Sequence, residues 1–202
     1  MRPSAKVAAV ILAAGASKRL GQSKQDIVLG GETLVERSVR IARTAELSPV
    51  FVVVSPEFFL SALPKDSTLL VNHDAREGMA SSIRVGVRAA FEAKVDAVVI
   101  LACDQIAVTP EHLRKLVSAN AEIAASTYAG RNGVPACFSS SVFGELLNLR
   151  GDAGARGLLR EAKAIPLADG ELDIDTPKDL ESARRHFLEA FPNTGPDAGK
   201  KE

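Results

Sequence analysis

The sequence has few of the residues that several common classes of functional site need. Cys103 and Cys137 are its only cysteines among 202 residues, and they form neither a CxxC motif nor a Cys/His pattern with zinc spacing. A disulfide framework and a structural zinc site are therefore excluded. The three histidines, His73, His112 and His186, lie in separate segments, and we expect each to be a surface or capping residue rather than a ligand.

Net charge and hydropathy exclude two more classes. The chain has 25 basic and 25 acidic residues, so it has no overall field to hold DNA, RNA or an anionic membrane. No apolar stretch approaches the ~20 residues of a membrane-spanning helix. Arg2 and Lys6 precede an apolar run at 7–14 and imitate a signal peptide, but the run is short and leads directly into Lys18 and Arg19. We expect a cytoplasmic protein that binds neither nucleic acid nor membrane.

Short apolar runs rich in β-branched residues alternate with segments of helical pattern. The runs cover residues 7–12, 50–54, 68–71 and 97–101. This alternation predicts an α/β fold: a single Rossmann-like, doubly wound domain whose mostly parallel sheet has helices on both faces. We expect the domain to span 7–191, after an N-terminal segment at 1–6 and before a flexible tail at 192–202 that contains proline and glycine.

Three helix starts can be predicted from capping residues. Thr33, Thr109 before Pro110, and Asp175 or Thr176 before Pro177 each precede an amphipathic segment. The middle of the chain is less distinctive: strands are predicted at 123–127 and 135–138, and short helices at 141–147 and 154–162.

A basic, glycine-containing loop follows the first apolar run. Gly15 ends the run, and Lys18, Arg19 and Lys24 follow within nine residues. Ligands of open α/β sheets collect at the carboxyl ends of strands, where glycine allows close approach of the backbone and cations offset phosphate charge. The spacing is neither GxxxxGK[ST] nor GxGxxG, which excludes a Walker loop and a dinucleotide fingerprint. Taken alone, such a loop is more often a plain turn whose basic residues face water.

The segment LAAGASKRLGQSK, residues 12–24, resembles the LAAGxSxRxGxxK signature of the MobA-like nucleotidyltransferases of molybdenum cofactor maturation. Five further blocks follow in the order typical of that family, and together they span nearly the whole predicted domain: NHDAREGMASSI, LACDQ, GVPACF, GDAGARGLL and DIDTPKDL. The resemblance implies a fold like that of the nucleotide-diphospho-sugar transferases.

Within the family, the blocks look most like those of molybdenum cofactor cytidylyltransferase. That enzyme transfers CMP from CTP to the phosphate of molybdopterin and releases pyrophosphate, whereas the related guanylyltransferase usually has LAGG where this chain has LAAG at 12–15. Two alternatives remain: a transferase that uses GTP or a sugar or polyol phosphate, and a non-catalytic chaperone for the molybdenum cofactor. A molybdoenzyme or its chaperone is a further expected partner.

The resemblance also implies roles for individual residues. Arg19, Lys24 and Asp104 are the expected catalytic residues, with Arg19 on the outer phosphates and Lys24 against the α-phosphate, in keeping with the fork of arginine and the point charge of lysine. Asp104 and Asp175 are expected to hold Mg²⁺, which prefers oxygen ligands. Asp173 should face away from Asp175 if the segment is extended.

Two larger sets are implied for substrate binding. The nucleotide set comprises Leu12, Ala13, Ala14, Gly15, Arg19, Lys24, Asn72, Gly78, Ser82 and Asp104. The acceptor set comprises Gln105, Pro135, Gly151, Asp152 and Arg156. Each has a plain structural alternative; Ser81 and Ser82, for example, would serve equally as helix caps.

The chain departs from the family pattern at two positions near the expected site. Ile106 stands where proline is usual after CDQ, which should loosen the loop carrying Asp104. Asp26 replaces an apolar residue after the signature lysine, and its carboxylate could pair with Lys24 and weaken the hold of that side chain on phosphate.

Overall fold

The computed structural model describes residues 5–15, 20–21, 23–57 and 64–190, except for the side chains of 186–190. Within these ranges the strands are β1 (Val7–Leu12), β2 (Val28–Leu29), β3 (Glu32–Thr33), β4 (Val50–Val54), β5 (Thr68–Val71), β6 (Ala97–Ala102), β7 (Ile123–Tyr128), β8 (Arg131–Ser139) and β9 (Lys163–Pro166). The α-helices are α1 (Leu34–Thr44), α2 (Met79–Glu92), α3 (Pro110–Ser118), α4 (Phe143–Leu147), α5 (Arg156–Leu159) and α6 (Pro177–Ala190).

Seven strands form one sheet in the order β5-β4-β1-β6-β8-β7-β9. Strands β5, β4, β1 and β6 are mutually parallel, β9 is parallel to β7, and β8 runs antiparallel to both of its neighbours. The prediction of a mostly parallel α/β sheet is confirmed. Because β1 and β6 lie side by side and parallel, their carboxyl ends bring two loops to the same edge.

Strand β1 is buried along its whole length, and successive side chains enter opposite cores. Ala9 and Ile11 belong to the cluster that contains residues of α1 and α3, whereas Ala8 and Val10 belong to the cluster that contains residues of α2, α4 and α5. Helices therefore cover both faces of the sheet, as the unbroken apolar runs predict. No described helix is long and apolar enough to cross a bilayer.

The three expected helix starts are present. Thr33 forms a capping box with Glu36 at the start of α1. The backbone N–H of Glu36 donates to the Thr33 hydroxyl, and the backbone N–H of Thr33 donates to the Glu36 carboxylate. Thr109 caps α3. At α6 the hydroxyl of Thr176 accepts from the N–H of Asp179 at 3.3 Å, so Thr176 and not Asp175 acts as the cap.

Several elements were not predicted. The β2–β3 hairpin consists of two-residue strands, too short to show an alternating pattern, and β9 is a largely exposed strand at the sheet edge. Strand β8 begins at Arg131, four residues earlier than predicted, and its pairing with β7 is irregular at Ala125/Ser126. The expected tail at 192–202 lies outside the described residues.

A third, smaller apolar cluster lies apart from the two cores that flank the sheet. Its buried members are Leu20, Ile27, Leu29, Leu34, Ile174, Leu180 and Ala183, and Ile106 packs against it. These residues come from the segment after β1, the hairpin, the start of α1, the β6–α3 loop and the start of α6. The cluster therefore joins segments that are far apart in sequence.

Candidate active site

Three charged side chains from distant parts of the chain meet at one point. The Lys24 ammonium lies 2.8 Å from Oδ2 of Asp104 and also contacts Oδ1 of Asp175. The side chains of Lys24 and Asp104 are 14% and 18% exposed, and that of Asp175 is 38% exposed. The ion pairs are therefore partly shielded from water but open on the Asp175 side, where a solute can reach them.

The fold explains why these residues converge. Asp104 follows the end of β6 by two residues, and Lys24 lies in a 3₁₀ turn at 24–26 after the loop that leaves β1. Asp175 precedes α6 by two residues, and the N–H of Ile174 donates to the carbonyl of Asp104 at 3.3 Å. Two loops from neighbouring parallel strands and the start of a helix thus share one edge.

The third apolar cluster supports all three charged residues. Ile27 lies three residues after Lys24, Ile106 two residues after Asp104, and Ile174 immediately before Asp175; Ile27 and Ile174 are buried in the cluster, and Ile106 packs against it. Burial of these neighbours fixes the backbone from which each charged side chain extends. Sequence reasoning missed this support, because its parts become adjacent only in the fold.

Gln25 is a buried residue of the site that sequence reasoning also missed. Its side chain is 4% exposed, and its Nε2 donates to the carbonyl of Ala13. Its Oε1 accepts from the hydroxyl of Ser23 at 2.6 Å. Gln25 thereby ties the turn that carries Lys24 to the backbone just beyond β1, and only its position next to the signature lysine hinted at this role.

The electrostatics of the site keep Lys24 charged. Burial disfavours its ammonium, but the charges and hydrogen bonds of Asp104 and Asp175 outweigh this effect and raise the pKa of Lys24 above its usual value. Two carboxylates that meet around one cation also repel each other, so the ammonium stabilises the folded site.

The half-buried Asp173 interacts electrostatically with these groups. Burial, reinforced by the negative charges of Asp104 and Asp175, raises the pKa of Asp173 to about 7. Its Oδ1 is buried without a hydrogen-bond partner among the described residues. Asp173 joins Gln105 in an isolated bridge instead of continuing a strand, so the alternation behind its expected orientation does not apply, and that orientation stays a prediction.

The carboxylates of Asp104 and Asp175 suit a divalent cation. In this structure they already converge on a single positive charge, that of Lys24. Mg²⁺ and Mn²⁺ are commonly bound by one or two carboxylates together with water and phosphate oxygens. The chemistry and convergence of this donor pair therefore fit such an ion.

The members of the predicted nucleotide set differ in accessibility. Leu12 and Ala13 are buried, whereas Ala14 is half-buried and Gly15 is exposed. The accessible part of the LAAG segment is therefore Ala14 and Gly15. Arg19 and Lys18 lie outside the described residues.

Asn72 and Ser82 are buried in an internal network. The Nδ2 of Asn72 donates to the hydroxyls of Ser81 at 2.8 Å and Ser82 at 2.9 Å, and the Ser81 hydroxyl donates to the carbonyl of Gly78. Helix α2 begins at Met79 with Gly78 at its cap position. Ser81 and Ser82 lie within the helix, so the alternative that they cap it is wrong.

Gly78 brings the nucleotide and acceptor sets into contact. Its φ is +119°, and a Cβ there would meet the Asp152 Cα at 2.7 Å and the Gly151 carbonyl oxygen at 2.8 Å. The same carbonyl accepts from the N–H of Ala80 in the first turn of α2. Asp152 and Arg156 are exposed beside this contact, where a solute could reach them.

Gln105 and Pro135 of the predicted acceptor set are buried. Gln105 is 5% exposed, and its Nε2 donates to the carbonyl of Val134 at 2.8 Å. The carbonyl of Pro135 accepts from the hydroxyl of Ser126. The structure gives Gln105 a role in joining the Asp104 loop to β8, and its role in acceptor binding stays a prediction.

The two departures from the family pattern have different outcomes from those expected. Asp26 is exposed and forms no ion pair with Lys24 in the described part of the chain. Ile106 packs against the third cluster, and its carbonyl accepts from Arg37 at 2.7 Å. The Asp104 loop is therefore held by packing and hydrogen bonds although it lacks proline.

His112 also differs from expectation. It is 5% exposed, and its Nε2 contacts the Ser126 hydroxyl at 2.7 Å. Burial, with the nearby charge of Lys115, lowers its pKa to about 4. It is an internal hydrogen-bonding residue rather than a surface one.

Comparison with known proteins adds independent information. Residues 9–165 match the family described as the MobA-like NTP transferase domain. The purine catabolism protein PucB of Bacillus subtilis is 37% identical, in a match that covers 87% of this chain and 95% of PucB. A probable molybdenum cofactor guanylyltransferase of Mycobacterium avium is 27% identical, over 89% of this chain and 96% of that protein.

Solved structures with the same fold include Rv0371c of Mycobacterium tuberculosis. It is 27% identical with a TM-score of 0.74, and the match covers 90% of this chain and 98% of Rv0371c. A second structure of Rv0371c is a complex with manganese; it matches with 24% identity and a TM-score of 0.68, over 89% of this chain and 98% of that one.

Proposed function

This chain belongs to the MobA-like NTP transferase domain family and is a nucleotidyltransferase, and we propose that it transfers CMP from CTP to the phosphate of molybdopterin with release of pyrophosphate. The observation that carries the proposal is the meeting of Lys24 with Asp104 and Asp175 at the carboxyl ends of β1 and β6. A cation and two carboxylates at this edge are what alignment of a metal-bound triphosphate requires.

Asp104 and Asp175 are the residues that would hold a divalent ion, Mg²⁺ in the cell. Bound there, the ion would neutralise phosphate charge and act as a Lewis acid. The manganese complex of Rv0371c supports divalent-metal use in a protein of this fold. Lys24, a compact point charge beside both carboxylates, would contact the α-phosphate, where negative charge develops during transfer.

The acceptor needs little activation in this reaction. A phosphate monoester has a second pKa near 6 and is largely dianionic at pH 7, so its oxygen can attack phosphorus without a strong general base. The site accordingly needs charge neutralisation and alignment more than proton transfer. Arg19, Asp152 and Arg156 complete the proposed contacts to substrate, with Arg19 on the outer phosphates and the other two on the acceptor.

The choice of cytosine rests on Ala14, which replaces the glycine usual in the guanylyltransferases. Ala14 is half-buried next to the exposed Gly15, in the part of the loop that the resemblance assigns to nucleotide binding. The guanylyltransferase relative from Mycobacterium avium favours the second candidate, transfer of GMP from GTP.

A pyrophosphate-release screen tests the proposal. Purified protein is supplied with Mg²⁺, molybdopterin and each of CTP, GTP, ATP and UTP in turn. We expect release with CTP, and a loss of about 100-fold or more in Asp104→Asn, a size typical of losing one group that stabilises transition-state charge. Asp26→Asn is the matched control, because it removes the same charge from an exposed position near Lys24 and should leave turnover unchanged.

Each other outcome identifies an alternative. Release with GTP alone would make the chain a guanylyltransferase, and release with sugar or polyol phosphates in place of molybdopterin would change the acceptor. Tight binding of molybdopterin without turnover of any triphosphate would indicate a chaperone. Equal rates in wild type and Asp104→Asn would remove Asp104 from the reaction.

A further inference from the structure

Arg37 connects α1 to the loop that carries Asp104. Its Nη2 donates to the carbonyl oxygen of Ile106 at 2.7 Å and to that of Val108 at 3.2 Å. These carbonyls lie 69 and 71 residues further along the chain. One guanidinium group thus binds the backbone carbonyls of two residues, Ile106 and Val108, in the second half of the β6–α3 loop.

This arrangement is costly for an arginine. The side chain is half-buried, and no salt bridge joins it to a carboxylate in the described part of the chain. Burial, together with repulsion from Arg40 and despite the opposing charge of Glu32, lowers the pKa of Arg37. Removing a guanidinium from water without an ion-pair partner carries a desolvation penalty, which its two carbonyl contacts offset only in part.

The loop has a second anchor on its other side. The carbonyl of Asp104 accepts from Ile174, and the Gln105 side chain donates to the carbonyl of Val134. The first half of the loop is therefore fastened to β8 and to the segment before α6. Arg37 joins the second half of the loop to α1, so the Asp104 carboxylate extends from a backbone that is held at both ends.

We propose that Arg37 is a positioning residue for Asp104: by holding the carbonyls of Ile106 and Val108 it fixes the loop from which the Asp104 carboxylate meets a divalent cation. The proposal rests on the proposed function in one respect, namely that Asp104 is a metal ligand. Loss of an outer-shell group that orients a metal ligand typically lowers metal affinity by 10- to 100-fold.

Binding of Mn²⁺ without nucleotide tests this role, measured by titration of the free-ion EPR signal. Arg37→Met keeps the apolar stem but removes both donors, and we expect it to raise the Kd for Mn²⁺ about tenfold or more. Arg37→Lys keeps the charge and offers a compact donor, so its Kd should lie between those of wild type and Arg37→Met. Arg40→Met is the matched control, since Arg40 lies on the same helix and pairs with Glu32 at the surface.

A second readout separates this proposal from the proposed function. Amide hydrogen exchange at residues 105–108 should be faster in Arg37→Met than in wild type, and unchanged in Arg40→Met. Equal Mn²⁺ affinity in wild type and Arg37→Met overturns the proposal, as does unchanged exchange at 105–108. If wild-type protein binds no Mn²⁺, the proposed metal site fails, and the exchange data alone then decide whether Arg37 orders the loop. If Arg37→Met does not fold, the comparison of Arg37→Lys with Arg40→Lys decides in its place.

Discussion

The ammonium of Lys24 lies 2.8 Å from Oδ2 of Asp104, although 80 residues separate them in sequence. The same ammonium contacts Asp175, which is 151 residues away. Lys24 thus provides the positive charge that balances two neighbouring carboxylates. This contact makes Lys24 important for stability as well as for the proposed chemistry, and the two effects can be measured separately.

Lys24→Met should reduce turnover about 100-fold or more, because it removes the cation expected beside the α-phosphate. It should also lower the melting temperature, since Asp104 and Asp175 would repel each other without it. Addition of Mg²⁺ or Mn²⁺ should therefore raise the melting temperature of Lys24→Met by more than it raises that of wild type. Thermal melts with and without the ion measure this difference.

The exposed Lys65 provides the control for this experiment. Lys65→Met removes one positive charge far from the carboxylates in sequence and should change neither turnover nor the response to the ion. A Lys24→Met protein that melts like wild type and gains nothing extra from Mg²⁺ would contradict the assignment of Lys24 as the balancing charge.

The sequence predicts the central strands well, and the reason is local. Strands β1 and β4 have the predicted bounds, and β6 extends the prediction by one residue, because buried parallel strands require continuous apolar runs. The edge strand β5 also has the predicted bounds, although none of its residues is buried. The position of Asp104 follows from the same rule, since a polar residue after such a run lies at the carboxyl edge. Helix starts were predictable where a threonine precedes the helix.

The support around the site could not be predicted in this way. The third apolar cluster combines Leu20, Ile106 and Ile174, which have no common pattern in the sequence. Gln25 resembles a surface residue until the fold brings the Ala13 carbonyl beside it. The orientation of Asp173 could not be predicted either, because alternation applies to a continuous strand and residue 173 forms only an isolated bridge.

Gln25→Leu tests how far the turn at 24–26 depends on its buried amide. Leucine has a side chain of similar size but no amide, so the Ala13 carbonyl loses its side-chain donor. This loss should lower the free energy of unfolding by about 1–3 kcal/mol. A turn that is less well fixed should also weaken nucleotide binding more than it changes the maximal rate. Urea unfolding and the KM for the triphosphate measure the two effects.

Asp26→Asn, in the same turn but exposed, should leave both quantities unchanged. If Gln25→Leu unfolds at the wild-type urea concentration and has the wild-type KM, then the contact between Gln25 and the loop after β1 does not position Lys24.

Two glycines provide a matched pair for the contact between α2 and the acceptor loop. Gly78→Ala would force a Cβ to 2.7 Å from the Asp152 backbone at a φ of +119°, and we expect a loss of about 1–3 kcal/mol, as for other strained backbone positions. Gly144→Ala lies in a helix with nothing within 4 Å of the added carbon. It should be neutral or stabilise the fold by up to about 1 kcal/mol.

Chemical denaturation of both variants checks this prediction. Because the Gly78 clash involves Gly151 and Asp152, the variant should also have a higher KM for the phosphate acceptor. Equal unfolding free energies for Gly78→Ala and Gly144→Ala would show that the two segments do not pack as closely as the structure indicates.

His112 should make stability depend on pH in the acidic range. The Ser126 hydroxyl donates to the carbonyl of Pro135 at 2.6 Å, so Nε2 of His112 donates to that hydroxyl. Its pKa is lowered to about 4 in the folded protein, against 6.5 as the ordinary value. Between pH 6.5 and about 4, His112 is therefore protonated in the unfolded chain but neutral in the folded protein.

The contribution of His112 to stability is thus fully present above pH 6.5, falls as the pH drops toward 4, and changes little below that value. The pKa difference corresponds to about 3 kcal/mol over this interval. Urea unfolding of wild type and His112→Gln at several pH values between 7 and 4 measures this contribution. The carboxylates titrate in both proteins, so the difference between the two pH curves is due to His112. His73→Gln, at an exposed position, should follow wild type. Parallel pH curves for wild type and His112→Gln would mean that the buried ring does not resist protonation.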